Sequence, residues 1–126
     1  MKNYPPYFTK AELKCKCGRC GGKMDDVFMR KLSAMRKEAG FGFVLSSAYR
    51  CPSHNAKVSS TGRTGPHTTG RAVDIRCFGA RAHRVIELAF KHGMTGIGVS
   101  QKGRHDKRFI HVDDLDEIMR PTIWSY

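Results

Sequence analysis

Two short segments of this chain alternate between apolar and polar residues, and this period of two strongly limits how the chain can fold. Residues 71–77 and 108–113 each place aliphatic side chains on one face of an extended strand. The opposite face carries Asp74 in the first segment and His111 and Asp113 in the second. The pattern predicts two strands that cover a core on one side and present ionisable groups on the other.

Helical spacing of apolar residues occupies much of the remaining chain. This spacing predicts helices over Asp26–Ala39, Ser53–Val58 and Ala80–Lys91. Further strands are predicted over Phe41–Tyr49 and Thr95–Ser100, and a capping motif predicts a helical turn near Thr9. Residues 59–66 are expected to form a loop, and residues 101–106 a hairpin loop. The order of elements favours one α+β domain over residues 1–126, with helices on one side of a small antiparallel sheet.

Charge and composition limit the classes of partner. The chain has 126 residues, a net charge of +12 and a pI near 9.9, so a polyanionic partner is expected. Nucleic acid is disfavoured because the sequence has no aromatic RNA-binding motif and no helix-turn-helix pattern. With no apolar run for a membrane span or secretory signal, we expect a monomer made in a cytoplasm, without membrane insertion.

His67, Asp74 and His111 are candidate ligands of a catalytic metal ion. Two imidazoles and a carboxylate, with a fourth position left open for water, are typical of catalytic zinc. Asp74 and His111 are predicted on polar strand faces, and His67 precedes the first of these strands. The competing interpretation, that each is an ordinary hydrogen-bonded or surface residue, stays open on spacing alone.

The five cysteines suggest a second site. Cys15, Cys17 and Cys20 are clustered, whereas Cys51 and Cys77 stand apart. A structural zinc site built on the cluster, with Cys51 as a fourth ligand, is one interpretation. A Cys17–Cys20 or Cys15–Cys20 disulfide and a set of free thiols are the alternatives, and the odd number excludes complete internal pairing.

Several motifs together resemble a known family. They are Tyr-Phe-Thr-Lys-Ala-Glu-Leu (7–13), Ser-Ala-Tyr-Arg-Cys-Pro-Ser-His-Asn (47–55), His-Thr-Thr-Gly-Arg-Ala-Val-Asp-Ile (67–75), Gly-Ile-Gly (96–98) and Phe-Ile-His-Val-Asp (109–113). In this order they resemble the M15 family of zinc peptidases, in particular its D-Ala-D-Ala carboxypeptidase-type subgroup, which is common among bacteriophage cell-wall enzymes. The resemblance implies the family's hedgehog-like fold, with the zinc site on the sheet face.

The resemblance also implies roles for individual residues. The zinc ligands carry over to His67, Asp74 and His111, and a Tyr-Arg element that contacts substrate carries over to Tyr49 and Arg50. In the family this arginine also supports charge on the scissile carbonyl.

The chain departs from the family at two positions. Gly65 stands where a serine is frequent, and Arg108 stands where many relatives have the acidic general base. Asp113 is the expected substitute base, or else a residue that orients a ligand. Asp106 and Asp114 are weaker candidates for the base.

These features predict a zinc peptidase that hydrolyses the peptide stems of bacterial peptidoglycan. Arg50 would stabilise the oxyanion and Asp113 would transfer the proton. Cleavage of a D-Ala-D-Ala or an L-Ala-D-Glu bond is equally compatible. A phage endolysin, made in the host cytoplasm and acting at the wall or in the periplasm after release, is the expected setting, and a structural phage protein is another. The alternative is a non-catalytic, zinc-stabilised module that binds peptidoglycan or nucleic acid through its basic surface.

Overall fold

Within the part of the chain that the structure describes, five strands form one sheet. The computed structural model describes residues 1–117 and 119–126. The strands are β1 (Val44–Ser47), β2 (Ala72–Arg76), β3 (Gly96–Ser100), β4 (Phe109–Asp113) and β5 (Thr122–Ser125). They lie in the order β1-β2-β4-β3-β5.

The predicted α+β class and the mainly antiparallel sheet are confirmed. The β1–β2, β2–β4 and β3–β4 pairs are antiparallel. Strand β5 was not predicted, and it runs parallel to β3 at the sheet edge. Its four residues are too few to show a strand pattern, so its pairing depends on the β3 edge.

The described residues also form four α-helices and two 3₁₀ turns. The helices are α1 (Lys10–Leu13), α2 (Asp26–Ala39), α3 (Pro52–Val58) and α4 (Gly79–Lys91), and the 3₁₀ turns are Pro66–Thr69 and His105–Lys107. The predicted bounds of α2 are confirmed. The Asp25 carboxylate accepts a hydrogen bond from the Phe28 N–H at 2.9 Å at its start, and Gly40, with φ of 76°, ends it.

The core lies between the aliphatic face of the sheet and the two long helices. Its main side chains come from α2 (Phe28, Leu32, Met35), α4 (Val85, Leu88), β2 (Val73, Ile75), β3 (Ile97) and β4 (Ile110, Val112). All of them are almost completely removed from solvent. Because each such side chain contributes about 1.5–3 kcal/mol on burial, this layer fixes which face of every strand points inward. The polar side chains on β2 and β4 must therefore point to the other face.

The first strand is shorter than predicted. The sequence favoured a strand over residues 41–49, but β1 covers only Val44–Ser47, and its pairing with β2 is irregular near its end. The backbone beyond it serves another purpose. The Ala48 carbonyl accepts from the His67 ring, and the Arg50 N–H donates to the His67 carbonyl. These bonds draw the chain away from β2 and towards the Pro66–Thr69 turn.

Two glycines on β3 make room for the side chains of the polar face. Gly96 lies opposite Asp113 and Gly98 lies opposite His111. A Cβ atom at Gly96 would collide with the Asp113 carboxylate, and one at Gly98 would lie 2.7 Å from the Trp124 indole nitrogen. The Gly-Ile-Gly segment therefore leaves the space that these side chains occupy.

Across residues 1–117 and 119–126, every helix is too short or too polar to cross a bilayer.

The close approach at β3 predicts the effect of one substitution. Gly96→Ala should lower the free energy of unfolding by about 1–3 kcal/mol, because the added methyl group overpacks a site already filled by Asp113. Urea denaturation would measure this. Gly42→Ala is the matched control, since its Cβ would meet no atom within 4 Å. Equal stability of the two variants would show that the β3 glycines are not required by packing.

Candidate metal centre

Three predicted ligands converge on the polar face of the sheet. Asp74 on β2 pairs in register with His111 on β4, and His67 approaches from the Pro66–Thr69 turn. One oxygen of Asp74 lies 3.3 Å from His67 Nε2 and 3.0 Å from His111 Nδ1. All three residues are buried, and their ligand atoms lie within 4.8 Å of one another.

The orientation of each imidazole is set by its other nitrogen. His67 Nδ1 lies 2.8 Å from the Ala48 carbonyl, which can only accept, so this nitrogen carries the proton and Nε2 is free to ligate. His111 Nε2 lies 2.8 Å from Asp113, which leaves Nδ1 facing Asp74. Metal-binding histidines are held by carbonyl and carboxylate acceptors in this way.

Asp113 is itself held by an arginine. Arg120 donates from Nε and Nη2 to the two carboxylate oxygens of Asp113, both at 2.9 Å. Asp113 is completely buried. The contacts run from Arg120 through Asp113 to His111. Arg120 therefore helps to set the position of His111 without contacting it through a hydrogen bond.

The hydrogen bonds of the site shift the pKa values of Asp74, Asp113 and His111 in the direction opposite to the effect of burial. Burial alone raises the pKa of Asp74, but the bonds to His111 and His67 outweigh it and hold that pKa well below its usual range. Burial likewise raises the pKa of Asp113, while His111 and Arg120 lower it to about 2. Burial lowers the pKa of His111, but its bonds to Asp113 and Asp74 raise it overall. Both carboxylates are therefore anionic at neutral pH.

The donor set fits a zinc ion. Bonds of about 2.0–2.1 Å in a tetrahedron place neighbouring ligand atoms about 3.3 Å apart, close to the separations of Asp74 from the two imidazole nitrogens. With a metal bound, His67 Nε2 and His111 Nδ1 would present unprotonated nitrogens, and Asp74 would supply a carboxylate. Three protein ligands leave one coordination position for water or substrate.

Arg50 lies beside the ligands and is held in place. Its Nε donates to the Ser47 hydroxyl and its Nη1 to the Asn55 side-chain oxygen, both at 3.0 Å. Its Nη2 lies 3.8 Å from Asp74. Asn55 is completely buried and donates to the Thr61 hydroxyl at 2.8 Å. The guanidinium is therefore preorganised at the edge of the metal centre.

Gly65 has a local explanation. A Cβ at this position would collide with the Thr61 side chain and lie 3.0 Å from the Asn55 amide nitrogen. Thr61 fills the space that a serine at position 65 would need. The hydroxyl that contacts Asn55 comes from Thr61.

The ligands lie at the base of an open cleft of about 900 Å³. Residues from distant parts of the chain line it, including Arg50, Pro66, Phe109, Glu117, Arg120, Trp124 and Tyr126. Trp124 packs 5.0 Å from the His111 ring, centroid to centroid, and Tyr126 packs 5.0 Å from Phe109. The sequence interpretation did not include residues 117, 120, 124 and 126, because only the pairing of β5 with β3 brings this segment to the site.

Tyr49 is placed differently from Arg50. Its ring covers Gly22, where a Cβ atom would collide with it, and it is half-buried. It is not among the residues that line the cleft. Burial and the nearby thiols of Cys20, Cys51, Cys15 and Cys17 raise its pKa.

The other candidates for the general base lie away from the metal ligands. Asp106 is exposed on a 3₁₀ turn and pairs with Arg104 at 3.0 Å. Asp114 is buried between Lys31, at 2.9 Å, and Arg71, at 2.8 Å. Neither lines the cleft.

Among the residues that the structure describes, two carboxylates line the cleft, those of Asp74 and Glu117. Glu117 is exposed and follows the Asp-Asp-Leu-Asp run that begins with the last residue of β4. Asp113 lies beneath the cleft with both carboxylate oxygens engaged, an arrangement that favours its role in orienting His111.

The cysteines form a second group of potential ligands. The thiols of Cys15, Cys17, Cys20 and Cys51 lie within 4.8 Å of one another and could hold a metal ion, while Cys77 is buried elsewhere. Backbone N–H groups lower the pKa of Cys17 to about 6, whereas burial raises that of Cys15 to about 11.

The contact between His111 and Asp113 predicts a change in metal affinity. Asp113→Asn should weaken zinc binding about 10–100-fold, because the neutral amide is a poorer acceptor for the His111 N–H. Competition with a chromophoric chelator would measure the dissociation constant. Asp114→Asn is the control: it removes ion pairs with Lys31 and Arg71 and should cost stability without changing zinc affinity. Equal zinc affinity of the two variants would contradict the role of Asp113.

The ionic network also predicts the pH dependence of the metal-free protein. The raised pKa of His111 contributes stability below its ordinary value of 6.5, and this is lost as the pH rises through the folded-state value. The lowered pKa of Asp113 contributes stability above 3.8, lost as the pH falls. The melting temperature, measured with a chelator present, should therefore be highest between pH 3.8 and pH 6.5. A steady rise from about pH 6.5 to 8 would contradict this.

Comparison with known proteins agrees with this geometry. The family model described as Peptidase M15 matches residues 6–113, which include all three predicted ligands. No curated protein is similar enough in sequence to match the chain. Since the match covers most of the chain and the three ligands meet at one point, the chain belongs to the M15 peptidase family and is a zinc-dependent metallopeptidase.

Proposed function

We propose that this metallopeptidase hydrolyses the peptide stems of bacterial peptidoglycan. The observation that carries the proposal is the convergence of His67, Asp74 and His111 at the base of an open cleft, with Arg50 fixed beside them. Such a cleft admits an extended peptide, and the fixed arginine offers a cation to an anionic group on it.

The metal ligands define the reacting position. His67 Nε2, Asp74 and His111 Nδ1 would hold zinc, which supplies Lewis acidity towards a carbonyl oxygen and makes water a stronger nucleophile. Asp113 keeps His111 oriented by accepting its Nε2–H, and Arg120 keeps Asp113 ionised and in place. Asp113 is therefore a positioning residue in this proposal.

Arg50 is proposed to stabilise negative charge on the scissile carbonyl. Two of its nitrogens are engaged by Ser47 and Asn55, which leaves Nη2 directed towards the Asp74 side of the cleft. A guanidinium held before substrate arrives reorganises little during the reaction, which is the condition for effective electrostatic stabilisation. The same group could bind the terminal carboxylate of a stem peptide.

Glu117 is proposed as the general base. It is the carboxylate in the cleft lining that is not assigned to the metal, and it is exposed to solvent. It would accept a proton from the attacking water and pass it to the leaving amine. Asp113 is less suited to this task because it is buried and its oxygens are engaged by Arg120 and His111.

Charge supports a cell-wall substrate. The chain carries a net charge of +12, and both Arg50 and Arg120 line the cleft. Peptide stems end in carboxylates, and the envelope contains anionic polymers that would concentrate a basic enzyme. Two cleavage sites remain in the proposal, the terminal D-Ala-D-Ala bond and the L-Ala-D-Glu bond. Action as a phage endolysin, at the wall after release from the cytoplasm, is the setting we propose.

A mass-spectrometric digest of purified peptidoglycan tests the proposal. Zinc-loaded protein should release fragments, and a chelator or His67→Ala should abolish them. Loss of one terminal D-Ala identifies a carboxypeptidase, and a larger released stem identifies an endopeptidase. Folded, zinc-loaded protein that binds the wall without cleaving it would overturn the proposal in favour of a binding module.

The assignment of the base predicts a separate result. Glu117→Gln should lower kcat by about 10²–10⁴-fold, because the amide cannot accept the proton, while zinc content and melting temperature stay unchanged. Asp116→Asn is the matched control: this neighbouring carboxylate is exposed and does not line the cleft, so its kcat should match wild type. Full activity of Glu117→Gln would exclude this residue as the base.

A further inference from the structure

The second cluster of potential ligands is separate from the catalytic centre. It consists of Cys15, Cys17 and Cys20 from the loop after α1 and Cys51 at the start of α3, and is called the cysteine cluster below. We propose that the cysteine cluster binds a structural zinc ion that fastens the N-terminal loop to the segment carrying Arg50. This inference does not depend on which substrate the enzyme cleaves.

The separations in the cysteine cluster suit one tetrahedral ion. With Zn–S bonds of about 2.3 Å, sulfur atoms at the corners of a tetrahedron lie about 3.8 Å apart. The four thiols already lie within 4.8 Å of one another, so a contraction of about 1 Å or less completes the site. The Cys17-Gly-Arg-Cys20 segment also has the two-residue spacing common in structural zinc sites.

Backbone N–H groups are arranged to stabilise thiolates. The Cys51 N–H donates to Cys15 Sγ at 3.3 Å, and the His54 N–H donates to Cys51 Sγ at 3.4 Å. A thiolate is the form that binds zinc, and such donors offset its negative charge.

Positive side chains complete the electrostatic environment. Arg19 and Lys57 line the same surface depression as Cys17, Cys20 and Cys51. Four thiolates around a divalent ion leave a net charge of −2, which these two cations can balance.

One four-coordinate ion explains the arrangement better than the other interpretations. A disulfide would use two sulfurs and leave the convergence of the other two without a cause. A set of free thiols would not require four of the five cysteines to meet from two distant segments. Cys77 provides the contrast, since it is buried just after β2, where its thiol contacts the Ile75 carbonyl and is not part of the cluster.

The proposed ion would join parts of the chain that support the catalytic centre. Cys51 follows Arg50 directly, and the Arg50 N–H donates to the His67 carbonyl at 3.1 Å. The Tyr49 N–H donates to the Leu13 carbonyl at 3.2 Å on the side of the cysteine cluster. The zinc would therefore hold residues 13–20 against the strand end that carries Arg50.

Zinc content per chain is the first test. Protein purified under reducing conditions and freed of loose metal should contain about two equivalents of zinc, since both sites are occupied. His67→Ala and Cys20→Ser should each contain about one, and the control Cys77→Ala should keep about two. One equivalent in wild type and none in His67→Ala would overturn the proposal.

A second measurement on wild type decides the case if Cys20→Ser does not fold. In wild type, a mercurial reagent that blocks thiols should release about one equivalent of zinc. In the His67→Ala protein, X-ray absorption should show Zn–S distances of about 2.3 Å. Absence of thiol-released zinc, or a disulfide within the cluster in protein kept reduced, would contradict the inference. Because none of these readouts uses catalysis, failure of the peptidase proposal would leave them interpretable.

Discussion

The hydrogen bond between His111 and the buried Asp113 carboxylate is the contact on which most of the metal face depends. An ionised carboxylate without exposure is costly unless cations and donors surround it. Here the Arg120 fork and the His111 ring supply them. The space for this arrangement comes from Gly96 on the neighbouring strand. The ligand geometry therefore rests on a residue that does not touch the metal position.

The same arrangement gives the last part of the chain a role in the site. Arg120 reaches Asp113 from the segment before β5, and β5 carries Trp124 to the His111 ring. The family match ends at residue 113, so Arg120 and Trp124 lie beyond it. The edge strand that sequence periodicity did not reveal thus forms one wall of the cleft and supports the ligand at its base.

The opposite wall depends on the connection between β1 and α3. Arg50 is held by side chains from both elements, and its backbone is tied to the turn that carries His67. The proposed zinc of the cysteine cluster would stabilise this wall by holding the segment that carries Arg50. Two metal sites would then have distinct purposes, one for chemistry and one for holding the arginine segment against the sheet.

Local pattern was sufficient for the parts of this protein in which neighbouring residues decide the outcome. The alternation in β2 and β4 predicted the face of Asp74 and His111, and the capping residues predicted α2, because period and caps are local properties. Contacts between distant segments decide three other features: the length of strand β1, the pairing of β5, and the presence of Glu117 and Arg120 in the cleft. Such contacts depend on which edges and cavities the folded chain leaves open, and only the tertiary structure contains that information.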